Sequence, residues 1–218
     1  RNTEKQKQKI SSNWVSNISL DTLLPAPTLS KISQSASISA QQESKRYESS
    51  ILGECLHQTL QSMGAIPTSQ WTESWLDAQG ITWQRQLAQS GLTDIEYLCN
   101  RMHGIIKKTM NDSVAQWILS SDHTQAESEY ALNHWNGEFT ETLVLDRTFI
   151  HEGVRWIIDF KSSPVDAIVD KNEFARQAQS HHEEQLHRYA KALRAIETLP
   201  IQCGLYFPDG NAWHHWSY

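Results

Sequence analysis

The sequence is poor in cysteine. Cys55, Cys99 and Cys203 are odd in number and far apart, and no CxxC occurs. That excludes a disulfide framework, argues against a structural zinc site or an iron–sulfur cluster, and fits a reducing compartment. No apolar run approaches the roughly 18 residues a membrane-spanning helix needs, so no membrane partner is expected. The first ten residues, RNTEKQKQKI, are polar and basic, unlike a secretory leader. No G-x-x-x-x-G-K-[ST] loop occurs, so no ATP site is expected in this chain. Positive charge is also short: 19 Lys and Arg stand against 25 Asp and Glu, a net charge of −6. Neutralising phosphates takes Lys and Arg, so this balance argues against a free-standing nucleic-acid binder. A cytoplasmic, bacterial protein is the expectation.

What remains is a globular composition in 218 residues, 39% apolar and 20% charged. Residues 1–48 read as a linker or flexible N-terminal extension. The stretch LPAPTLSKISQSASISAQQESKR has no sustained hydrophobic period, although Trp14, Leu20, Leu23 and Leu24 offer docking side chains. Order is expected from residue 49. SSILGECLHQTLQSMG predicts a helix capped by Ser49 or Ser50, with Leu52, Leu56, Leu60 and Met63 as its stripe and Gly64 at its end. Residues 68–120 read as helical: TSQWTESWLDAQG ending at Gly80, TDIEYLCNRMHGIIKKTM opening on a Thr93–Glu96 capping box, and DSVAQWILS. Their tryptophans, Trp71, Trp75, Trp83 and Trp117, are expected to pack.

The period then changes. Strands are expected over 126–135, 139–150 and 154–162. A long helix follows, capped by Asp170 with Glu173 at its third position, and its buried face is read as Ala178, His182, Leu186, Tyr189, Leu193 and Ile196. IQCGLYF and AWHHWSY close the chain as strands around a PDGN turn.

The chemistry sits at the end of GVRWIIDFKSSP (153–164). An apolar strand finishes with Asp159 and Lys161, two apart and so on one face. With Glu152–Gly153 as a two-residue hairpin loop, His151 pairs with Val154, Thr148 meets Trp156 or its neighbour, and Asp146 falls opposite Asp159. Two carboxylates that close need a counter-charge. Lys161 or Arg147 can supply it as an ion pair, or a divalent cation can, since Mg²⁺ takes one or two carboxylates plus water and phosphate oxygens. The spacing leaves both open. Adjacent histidines on a helix point about 100° apart, so His181–His182 are set aside as a site, and His214–His215 with them.

These residues resemble the PD-(D/E)xK nuclease core, and more closely the RecB/AddA-type nuclease domain at the C-terminus of bacterial helicase–nucleases. GECLH is similar to that family's G-x-x-x-H segment, ESEYAL to its acidic strand, VLDRTF and IIDFKSS to its two aspartate strands, EEQLHRYAKAL to its Q-x-x-x-Y motif, and LYFPDGNAWHH to its closing strands. The likeness covers about residues 49–218. It implies an α/β, restriction-endonuclease-like fold: a mixed central sheet flanked by helices, in the order helix–strand–strand–strand–helix–strand, with 68–120 as a helical insertion. It implies a Mg²⁺-dependent deoxyribonuclease, Mn²⁺ substituting, exonuclease rather than endonuclease, in DNA repair and recombination. The metal ligands it implies are His57, Asp146, Asp159 and the backbone carbonyl of Phe160, with Glu129 next in line and Glu127 in reserve. Lys161 would be catalytic, and Gln185 and Tyr189 would line the site. Its implied partners are single-stranded DNA ends, a helicase domain in the same full-length chain, and a second subunit. DNA threaded by such a helicase would answer the acidic net charge, with Lys107, Lys108, Arg176, Arg188, Lys191 and Arg194 lining an approach. The competing readings are a nuclease-like scaffold without catalysis and a helical interaction module built on 68–120.

Overall fold

The structure, a computed structural model, describes residues 29–135, 137–165 and 170–218, with side chains from residue 41 onward. Trp14, Leu20, Leu23 and Leu24 lie outside the described residues. The chain divides into two compact units, Arg1–Glu43 and Ser44–Tyr218.

The elements are α1 (Leu29–Gly64), α2 (Glu73–Gln89), α3 (Ile95–Met110), α4 (Ser113–Ile118), β1 (Thr124–Trp135), β2 (Thr140–His151), β3 (Val154–Phe160), α5 (Lys171–Arg194), β4 (Ile201–Phe207) and β5 (Ala212–Ser217). The strands form one mixed sheet in the order β1-β2-β3-β4-β5. Only β3 and β4 pair in parallel, so α5 must cross over between them. The protein is thus α/β, a mixed five-stranded sheet flanked by helices.

Several elements begin and end for local reasons. Asp170 accepts hydrogen bonds from the amides of Asn172 and Glu173 and so starts α5. The β2–β3 turn has φ of 51° at Glu152 and 77° at Gly153, the left-handed pair that a twisted two-residue hairpin requires. His151 therefore pairs with Val154, as the loop length predicts, and Thr148 pairs with Ile157.

Other boundaries differ from the sequence reading. α1 is already helical at Leu29, the first described residue, so Ser49 and Ser50 lie inside it rather than capping it. The stretch is dominated by Ala, Gln, Glu, Lys, Arg and Ser, which tolerate a helix without announcing one. α2 does not stop at Gly80: its buried residues Leu76, Trp83 and Leu87 lie on both sides of the glycine, and packing outweighs a cost of about 1 kcal/mol. The Thr93–Glu96 box is displaced, since Asp94 occupies the N-cap of α3 without a side-chain bond. Ile196 lies past the end of α5 and is 64% exposed.

The sheet separates two cores. On one side Phe149, Ile158, Phe160 and Tyr206 pack with Leu56, Leu60 and Met63 of α1 and with α2–α4. On the other, Leu145, Ile157, Leu205 and Phe207 pack under Leu186, Ala190 and Leu193 of α5. Trp83 is buried against α1 and donates to Thr59 Oγ1 at 2.8 Å, and Trp71 donates to the Met63 carbonyl at 3.1 Å. The segment 68–120 is thereby fastened to α1.

β1 and β2 change sides partway along. Ala126 belongs to the α1–α4 core, whereas Tyr130 and Leu132 belong to the α5 core. On β2, Leu143 and Leu145 pack toward α5, and Phe149 packs toward α1–α4. Simple alternation would keep each set on one face. The switch falls at Glu129, whose φ is 52°, and at Asp146, which the flanking pairs Ser128–Arg147 and Tyr130–Leu145 set opposite it.

Arg147, beyond the switch, is turned into the α1–α4 side and does not pair with the acids. Its guanidinium donates to the carbonyls of Ile118 (3.2 Å) and Ser120 (2.7 Å) and to Ser128 Oγ (3.2 Å). Burial pushes its pKa down to about 10, because only neutral acceptors surround it. It holds the end of α4 against the sheet. Arg147→Met should strand both carbonyls and cost roughly 2–4 kcal/mol, read as a lower urea midpoint with an unchanged m-value.

A candidate metal centre where two strands part

The β2–β3 ladder runs from His151–Val154 to Arg147–Ile158 and stops. One more step of the same register brings Asp146 opposite Asp159. Instead of a backbone pair there, the Asp146 carboxylate fills the gap and accepts the Phe160 amide at 2.8 Å. A backbone donor that would lose its partner as the strands diverge is thus satisfied by the acid that the divergence exposes.

His57 reaches the same point from α1. Its Nε2 lies 3.0 Å from the Phe160 carbonyl. A carbonyl only accepts, so Nε2 carries the proton and Nδ1 is the nitrogen facing Asp146, 3.7 Å from Oδ2. Gly53, one turn earlier, makes this approach possible. A Cβ there would come 3.0 Å from Ser162 Oγ, so even alanine would require that hydroxyl to give way. The G-x-x-x-H spacing therefore has a packing reason: the glycine lets the helix in, and the histidine uses the access.

Glu129 completes the group. One ligand atom from each of His57, Glu129 and Asp146 lies within 4.8 Å of the others, and this is the one such cluster among the described residues. Asp159 stands beside it in a different state. It is 3% exposed, with Oδ2 2.6 Å from Lys161 Nζ and Oδ1 accepting from Gln185 Nε2 at 3.3 Å. The Lys161 contact is an ion pair without hydrogen-bond geometry, so Asp159 Oδ2 is buried with no hydrogen bond. Gln185 also donates to Tyr189 Oη at 2.8 Å, and its own Oε1 lies 3.4 Å from Lys161 Nζ. Gln185 and Tyr189, one turn apart on α5, therefore brace the acid–lysine pair from the other side of the sheet.

The electrostatics are unfavourable as they stand. Glu129, Asp146 and Asp159 are set in a row across three adjacent strands, and Lys161 is the one ammonium paired among them. Burial, and then the charge of Asp159, push the Asp146 carboxyl up to about 6, against the opposing pull of His57. The donor set is one imidazole nitrogen and carboxylate oxygens, with a buried carboxylate oxygen left without a hydrogen bond. That is hard, oxygen-rich chemistry and suits Mg²⁺ or Mn²⁺ better than a thiolate-seeking metal.

All the site residues named from the sequence come together here: His57, Glu129, Asp146, Asp159, Lys161, Gln185, Tyr189 and the Phe160 carbonyl. Their division differs in detail. Glu129 falls within the tight cluster, Asp159 is engaged by Lys161 and Gln185, and the Phe160 carbonyl orients His57. Glu127, the reserve, pairs with Thr148 two residues along β1 and is outside the cluster. The histidine pairs form no site among the described residues, and His214 is hydrogen-bonded to Gln179 at 2.9 Å. Sequence reasoning missed Ser162 and Arg101, which line a cleft beside the site. Ser162 follows Lys161 directly, a signal that was visible; Arg101 carried none.

The expected basic approach is largely spent on local contacts. Lys107 pairs with Glu73 (2.8 Å), Arg176 with Glu173 (2.7 Å) and Arg188 with Glu141 (2.6 Å). Arg194 donates to the carbonyls of Thr198 and Leu199.

A scan of known protein families finds none that matches the chain, and a search of curated proteins finds no significant match. No helix among the described residues is long and apolar enough to cross a membrane.

Proposed function

We propose that the protein is a divalent-metal-dependent nuclease domain of the restriction-endonuclease-like type, hydrolysing phosphodiester bonds of DNA. The observation that carries this reading is the convergence of His57, Glu129 and Asp146 at the point where β2 and β3 part, with the Asp159–Lys161 pair alongside. Mg²⁺, or Mn²⁺ in its place, would be held by His57 Nδ1, Glu129 and Asp146, with Asp159 adjoining. A cation so held would supply Lewis-acid polarisation of a phosphoryl oxygen and offset the charge that builds there.

The chain's own groups do the rest. Asp146 is fixed by the Phe160 amide, and the His57 ring by the Phe160 carbonyl, so both ligands are oriented before substrate arrives. Lys161, steered by Asp159 and Gln185, presents an ammonium to the phosphate and stabilises negative charge developing on its oxygens. Gln185, itself hydrogen-bonded to Tyr189, gives that lysine a second contact beside Asp159. With a net charge of −6, and with Lys107, Arg176, Arg188 and Arg194 engaged in local contacts, the domain is read as an exonuclease module fed with single-stranded DNA ends by a helicase domain of the same full-length chain.

Incubating the chain with end-labelled single-stranded DNA tests this. Cleavage should require Mg²⁺ or Mn²⁺ and cease in EDTA. No cleavage with either ion, or cleavage that persists unchanged in Asp159→Ala, would overturn the proposal.

A further inference from the structure

A cleft of about 300 Å³ opens beside the metal centre, between α1, α3 and the segment after β3. Its size is at the lower bound for small-molecule sites. Leu52, Leu56, Met102 and Ile105 form an apolar floor. Ser49, Ser162 and Ser163 supply hydroxyls at the rim, together with the guanidinium of Arg101.

Two features join this cleft to the acids. Leu56 of its floor is the chain neighbour of His57, and Ser162 of its rim is the chain neighbour of Lys161. The close approach of Gly53 to Ser162 keeps both joints together. Two walls of the cleft thus lie one residue from the centre, close enough for a strand whose phosphate faces the acids to lay an adjoining nucleoside there. The lining is suited to one: an apolar floor with a methionine to pack against a base, hydroxyls able to meet its edge or its sugar, and one cation for a neighbouring phosphate. Arg101 is held in position for that by Asp209, 3.4 Å away, while a third of its side chain stays exposed.

We propose that this cleft binds a nucleoside of the strand being cut, next to the phosphodiester presented to His57, Glu129, Asp146 and Lys161. The proposal rests on the nuclease reading for its biological sense, but its test does not depend on cleavage. Base stacking in such a cleft tolerates every sequence, so the domain would grip a strand end without reading it.

The chain contains three methionines, Met63, Met102 and Met110, and only Met102 lines the cleft. Methyl-labelled methionine in the full chain therefore gives one reporter and two internal controls. Thymidine, which has no phosphate, is titrated without metal, and inorganic phosphate is titrated separately. Thymidine should shift the Met102 methyl saturably while Met63 stays in place. Ser49→Trp, at an exposed position on the rim, should weaken that response by at least about tenfold. The inference is overturned if Met102 ignores thymidine, if Ser49→Trp leaves the response intact, or if phosphate alone reproduces it. A Met102 response in a chain that cleaves no DNA would sustain the nucleoside site and remove the catalytic reading. Cleavage without that response would do the reverse.

Discussion

Asp146→Asn should give a protein that is more stable without metal and inactive with it. The Asp146 carboxyl is raised in the fold to about 6 from an ordinary 3.8, chiefly by burial and then by Asp159. A carboxyl whose pKa rises on folding contributes stability that is complete below its unfolded pKa and is lost as pH climbs through the folded one. At pH 7.5 the full cost is therefore being borne, at most about 3 kcal/mol for a shift of this size. Asparagine removes the charge and keeps an oxygen to accept the Phe160 amide. The expected gain is roughly 1–3 kcal/mol at pH 7.5, shrinking to nothing below about pH 4. Melting temperatures of the two proteins in EDTA, taken across that range, check it. A variant less stable than wild type at pH 7.5 would show that the Asp146 charge is already compensated. The same substitution should abolish metal-dependent cleavage, because a neutral amide is a poor partner for a hard cation. Gain of stability with loss of activity is the behaviour expected of a group retained for function.

Lys161→Met should act in the opposite sense on stability. Asp159 is almost wholly buried, and Lys161 is its one charged partner at 2.6 Å. Removing the ammonium leaves a buried carboxylate with only the Gln185 amide, a loss of about 3–5 kcal/mol by analogy with broken buried pairs. On the nuclease proposal, catalysis should fall about 10²–10³-fold, since Lys161 would be the group that meets charge on the phosphate. The two effects separate in Mn²⁺. A bound cation supplies the missing positive charge, so the rise in melting temperature on adding Mn²⁺ should be larger for Lys161→Met than for wild type. Activity should not return with it. If the melting temperature recovers no more than in wild type, the lysine and the cation do not share the same acids.

Much of this centre could be read from the chain because it rests on short-range rules. The Glu152–Gly153 turn set the β2–β3 register, and that register alone put Asp146 opposite Asp159. Asp170 capped its helix for reasons local to four residues. What escaped was decided by tertiary packing. Nothing local says that α1 will run through Ser49 from as far back as Leu29, or that α2 will pass through Gly80. Glu129 at φ 52° is a backbone conformation that no glutamate announces. Alternation along β2 gave no sign that its faces would exchange at Asp146. Arg147 beside two acids looked like their counter-charge, but the α4 carbonyls held it on the other side of the strand.

The hydrogen bond from His57 to Phe160 joins residues 103 positions apart. Everything between them, α2 to α4 and the first three strands, lies within that one loop. A cation shared by His57 and Asp146 would tie the helical layer to the sheet at the same place, reinforcing a long loop that packing and hydrogen bonds otherwise close. Substrate chemistry and mechanical closure would then depend on a single ion. The metal-induced rise in melting temperature would measure the strength of that clasp, and a chain stripped of divalent cations would be loosest where its reaction takes place.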